Sequence, residues 1–138
     1  PTGESVTETS AYAANTSSPI IAVVLGGTAV TLPDAQTLDG IVASAGNTVF
    51  TVPETGRYYI AYNVNTTVSL LLGTRLLING TPNAASTRNP LLSVSSFTND
   101  IIVPLTAGST ITLELFGLLG AATLQAGAGA NLTIIRVE

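Results

Sequence analysis

Phe50-Thr51-Val52-Pro53-Glu54-Thr55-Gly56-Arg57-Tyr58-Tyr59-Ile60-Ala61-Tyr62 reads as strand, turn, strand. Pro53 fixes its own φ and Gly56 supplies conformational freedom, so Pro53 to Gly56 is chemically suited to a turn. Beyond it, Tyr58, Ile60, Tyr62 and Val64 alternate with Arg57, Tyr59, Ala61, Asn63 and Asn65. A strand sends successive side chains to opposite faces, so the first set is a core face. The second set is partly apolar as well, which is unusual for a face left in water.

The same pattern extends outward. From Pro19 on, short segments rich in Val, Ile, Leu and Thr are separated by Gly, Pro or Asn. Spacing of roughly 8 to 12 residues between turn signals points to an all-β sandwich or barrel. Strands are predicted over Ile20–Leu25, Ala29–Leu32, Thr48–Val52, Arg57–Thr66, Arg75–Ile78, Leu91–Ser95, Asn99–Leu105, Thr110–Phe116 and Ala130–Val137. Turns fall at Gly26-Gly27, Leu32-Pro33-Asp34, Asn79-Gly80 and Ala107-Gly108. No segment carries a helical period between caps, because β-branched residues and glycine recur too often. Residues 1–18, polar and rich in Thr, Ser and Glu, read as a flexible lead-in, and 19–138 as one globular domain. Along Thr110 to Phe116, Ile111, Leu113 and Leu115 face opposite to Thr112, Glu114 and Phe116, again leaving an aromatic turned from the core. Leu115 to Ala130 is a Gly/Ala/Leu-rich passage, expected to pack on a neighbouring subunit or to form a strand bent at glycine.

Composition narrows the chemistry. The chain has 138 residues, 46% hydrophobic but only 9% charged, with no His and no Cys. Nucleophilic triads, zinc or copper sites and thiol redox in their common forms therefore lack their side chains. A net charge of -4, with four arginines and no lysine, argues against nucleic acid and against an anionic membrane surface. No apolar run reaches the ~18 residues of a membrane helix. Of the eight acidic residues, Asp34 and Asp39 are the candidates for a facing carboxylate pair, and with Asp100 for a calcium site. Scattered solvated carboxylates explain them better, and no catalytic residue, cofactor or metal is assigned. Asn15, Asn65, Asn79 and Asn131 begin N-glycosylation patterns that composition alone accounts for.

The segment around Phe50, Gly56, Tyr58 and Tyr62 resembles the signature of the complement globular heads and their tumour-necrosis-factor-like relatives, with Ile60 where an aromatic is usual. The closer likeness is to the C-terminal domain of the collagen-like glycoproteins of the bacterial exosporium, the BclA family. It rests on the order Glu54-Thr55-Gly56, Asn79-Gly80, Gly108 to Phe116, Gly117 to Ala130 and Ile134-Ile135. The resemblance implies a jelly roll of about ten strands assembling as a homotrimer, at the tip of a collagen-like stalk N-terminal to it, on the spore surface. Pro1-Thr2-Gly3 matches the end of a collagen repeat.

Three chains leaving one triple helix need a three-fold head, and a charge-poor head can bury surplus apolar surface between subunits. Interface residues are expected at Tyr59, Phe116, Leu118, Leu119 and Leu124, and family-signature core residues at Phe50, Gly56, Tyr58, Ile60 and Tyr62. The function is then a structural trimerisation head, or alternatively a recognition head binding a host receptor or surface ligand, or a phage tail-fibre tip.

Overall fold

A computed structural model describes residues 5–138. Its strands are β1 (Ser10–Ser17), β2 (Ile20–Val23), β3 (Thr28–Ala29), β4 (Asp34–Asp39), β5 (Val42–Ser44), β6 (Val49–Thr51) and β7 (Gly56–Leu70). There follow β8 (Gly73–Ile78), β9 (Thr81–Pro82), β10 (Val94–Leu105), β11 (Thr110–Phe116), β12 (Gly120–Thr123) and β13 (Ala126–Arg136). One sheet has the order β10-β7-β13-β1-β4, and the second the order β5-β6-β11-β8-β9 with β3 also on β11. A short ribbon pairs β12 with β2. Every pairing is antiparallel. Residues of both sheets form one hydrophobic core, so this is the expected all-β sandwich.

The alternation read from Tyr58 to Val64 decides the core. Phe50, Tyr58, Ile60, Tyr62 and Val64 are all buried, and Ile111, Leu113 and Leu115 meet them from β11. Gly56 opens β7. Buried aromatic hydroxyls need partners. Tyr58 donates to the Glu54 carbonyl at 2.6 Å, and Tyr62 to the Ser86 carbonyl at 2.6 Å. The Asn79-Gly80 turn has φ of 54° and 78°, the positive pair that a two-residue hairpin between right-twisted strands demands.

Several boundaries differ from expectation. The lead-in placed over residues 1–18 ends early, because Ser10–Ser17 run between β13 and β4 with Ala11, Ala13, Ala14 and Asn15 buried. Alanine and asparagine carry little local strand preference, and the pairing on both sides makes the strand. Asn15 is satisfied, donating to the Thr31 carbonyl and accepting from Ser17. Pro1-Thr2-Gly3 lies outside the described residues. The strands placed over Leu91–Ser95 and Asn99–Leu105 are one strand, β10, while Leu91 and Leu92 stay in the preceding loop. The polar β4 has no counterpart among the expected strands, because an exposed edge strand shows no hydrophobic alternation. The Gly-rich passage is β12 and the start of β13, with left-handed Gly117 before β12 and left-handed Gly127 within β13.

Candidate interaction surface

Chemistry-bearing groups do not converge. Among the described residues no three His, Cys, Asp or Glu side chains cluster. Asp34 and Asp39 stand at opposite ends of β4, about 16 Å apart at strand rise. Asp100 lies on β10, at the other edge of the sheet. Neither a facing carboxylate pair nor a three-carboxylate cation site is assembled from them.

The molecule instead presents a surface. Strands β7, β10 and β13 each contain an apolar doublet, Tyr58-Tyr59, Ile101-Ile102 and Ile134-Ile135. Alternation sends one member of each inward, where Tyr58, Ile101 and Ile134 are buried, and the other outward. The register then aligns the outward members: Ile135 pairs with Tyr59, and Tyr59 with Ile102. Ser10 and Asp39 complete this row across β1 and β4. The next row runs Thr37, Tyr12, Thr133, Ala61, Asp100. Nothing among the described residues covers this face fully: Ile102 is 61% exposed and Tyr12 38%.

Polar groups frame the strip. The Tyr59 hydroxyl donates to Asp100 Oδ2 at 3.0 Å. The hydrogen bond to Asp100, more than desolvation or charge, holds the phenol above its ordinary pKa of 10.0. Beside it, Asn63 donates to Asn131 Oδ1 at 3.0 Å. A groove of about 270 Å³ opens between β7 and β10, lined by Tyr59, Asn63, Thr98, Asn99 and Asp100. A second groove, about 380 Å³, lies at one end of the sandwich among Leu72, Arg88, Leu91, Leu92, Val94 and Phe97.

The interface candidates named from sequence separate. Tyr59 is on the open face. Phe116 is on the outward face of the other sheet, where its ring lies over Gly73 and under the Arg75 guanidinium, 4.1 Å from the ring centre. Leu124 is fully buried in its own chain, which corrects its placement at an interface: a side chain already inside the core has no surface to offer a neighbour. Leu118 packs half-buried against that core, and Leu119 remains exposed. Ile102 and Ile135 join Tyr59 on this face, and their signal is the tandem doublets, which in a strand always turn one apolar residue away from the core; Tyr12, between Ala11 and Ala13, carries no such signal.

Comparisons with known proteins agree with this architecture. The murine APRIL crystal structure at pH 8.0 is similar with a TM-score of 0.68 at 16% identity, covering 93% of this chain and 98% of that one. The TNF protein Eiger from S. frugiperda gives 0.63 at 10% identity, covering 94% and 91%. Pika GITRL gives 0.52 at 16% identity, covering 75% and 88%. At such identities the likeness shows the fold, which is the tumour-necrosis-factor-like jelly roll. No curated protein matches the chain. The BclA C-terminal domain pattern matches residues 11–138, beginning inside β1 and taking in the strand that local sequence hides. The chain belongs to the BclA C-terminal domain family.

Proposed function

We propose that this domain is the trimeric structural head of a collagen-like exosporium filament, aligning the three chains of the stalk and forming the outermost surface of the spore. The observation that carries the reading is the aligned row Ile135, Tyr59, Ile102, an apolar strip facing away from the core in a chain with 9% charged residues. Covering such a strip with a second copy removes apolar surface from water at roughly 25 cal/mol per Å². A three-fold ring places the same cover on every subunit and closes on itself. Membership of the BclA family supports the stalk and the spore surface, and favours them over a phage fibre tip. The head performs no catalysis in this reading.

Light scattering over a dilution series tests it. A stable mass of three times the 14.0 kDa chain is the expected result, and a chain that stays monomeric at every concentration overturns it.

Recognition of a host or surface ligand by the same trimer is favoured by one separate feature, the exposed Leu91 and Leu92 beside the end groove. Solitary exposed leucines are ordinary; two in tandem at a groove are the place for a ligand to bind. Replacing both by serine should abolish adhesion of the head to host cells. Adhesion that survives rules out this site.

A further inference from the structure

Three of the four arginines pair with carboxylates: Arg57 with Glu138, Arg75 with Glu114 and Arg136 with Glu54. Arg88 has no carboxylate partner among the described residues. Its backbone is fixed to the second sheet by reciprocal hydrogen bonds with Thr74, N to O in both directions at 2.7 and 3.0 Å. Its side chain reaches across to the first sheet, where Nη1 donates to the Thr98 carbonyl at 3.4 Å. Thr98 is on β10, an end strand paired only with β7. The exposed cation therefore stands at the β10 edge of the apolar-faced sheet, where no further strand pairs and the Ala85 carbonyl accepts from Asn99.

At the opposite edge, β4 is also paired on one side only. Asp34 opens that strand, and its Oδ2 accepts from the backbone N and the hydroxyl of Thr16, at 2.8 and 3.1 Å. Its Oδ1 accepts from no described residue. The two edges are linked by one row of register: Thr98 pairs with Asn63, Asn63 with Asn131, Asn131 with Ala14 and Ala14 with Asp34. Arg88 and Asp34 thus sit at the same height along the strands. Four strand spacings of about 4.8 Å separate them, so they cannot meet within one protomer.

We propose that Arg88 of one protomer pairs with Asp34 of the next around the three-fold, setting the rotational register of the head. This rests on the trimer reading above. Rotation about an axis running along the strands preserves height, and a ring contact is heterologous, joining one edge of a protomer to a different part of its neighbour. The free cation and the half-used carboxylate occupy those two places at one level. Asp39 has the same charge on the same edge, but it lies in the Tyr59 row at the far end of β4.

Sedimentation velocity on the whole 138-residue chain, over a dilution series, is the experiment. An exposed ion pair is worth up to about fivefold per contact, compounding to roughly a hundredfold over three contacts. R88E should weaken the trimer by roughly ten- to a hundredfold, and R88E/D34R should return it to within about threefold of the parent. D34N, which keeps an acceptor for Thr16, guards against loss of folding. It should weaken the trimer and remove most of its salt sensitivity, while D39N changes neither. A trimer insensitive to R88E, a double variant no better than R88E alone, or an effect of D39N in place of D34N overturns the pairing while leaving the trimer standing. A parent chain that is monomeric overturns the trimer reading itself.

Discussion

The guanidinium of Arg75 lies 4.1 Å from the centre of the Phe116 ring, and its Nε and Nη2 both reach Oε1 of Glu114 at 2.7 Å. Glu114 is buried beneath Gly27, where a Cβ would collide with the carboxyl group. The outward face of β11 is thus covered from within the chain, by a cation that serves a carboxylate and an aromatic ring together.

Arg75→Ala should therefore destabilise the fold by about 2 to 3 kcal/mol, because it strands a mostly buried carboxylate while the partly exposed arginine contributes less than a fully buried one. Phe116→Leu, which removes only the ring face, should cost about 1 kcal/mol. Urea unfolding measures both. The mass in solution should stay that of the parent, since the Phe116 ring is occupied by Arg75.

Stability should fall at alkaline pH. Burial pushes the Tyr62 hydroxyl above 10.0, against smaller opposing effects of the Thr74 hydrogen bond and the charge of Arg88. Burial likewise raises Tyr58, opposed first by the charge of Arg136. The unfolded chain releases these protons near pH 10.0 while the native state holds them longer. Their contribution is thus whole below that pH and is lost as pH climbs through the native values. Thermal melts between pH 8 and 11 should show the decline, with a shallower slope in Tyr62→Phe. That variant should also lose about 1 to 2 kcal/mol at neutral pH, because it leaves the Ser86 carbonyl unpaired.

Two apolar substitutions should separate assembly from stability. Leu124→Ala opens a cavity in the core and should cost about 2 to 5 kcal/mol in urea unfolding. Ile102→Asp places a charge on the open strip and should reduce the mass by light scattering towards a monomer, with the monomer still folded by circular dichroism. A full-mass trimer in Ile102→Asp would mean that the strip is not the contact.

The hairpin turn offers a local test. Asn79 holds φ of 54°, and its Oδ1 accepts from the Thr110 backbone N at 2.9 Å. Asn79→Ala loses that bond and places a less tolerant residue in the left-handed region, for an expected loss of about 1 to 2 kcal/mol. The melting temperature should drop by several degrees.

Local pattern was enough to determine the all-β class, the core set Phe50, Tyr58, Ile60 and Tyr62, the Asn79-Gly80 turn and the span of β11. Alternation and turn chemistry act between near neighbours in the chain, so these features are written in short stretches. The order of the motifs was enough to suggest the family. The tertiary structure alone decided that Ser10–Ser17 is an inner strand, because its hydrogen bonds come from β13 and β4, distant in sequence. It alone hid Leu124, gave Phe116 to Arg75, and brought Tyr59, Ile102 and Ile135 into one row. Which outward side chains share a surface depends on strand register, and register is a property of pairs of strands that neither strand carries by itself.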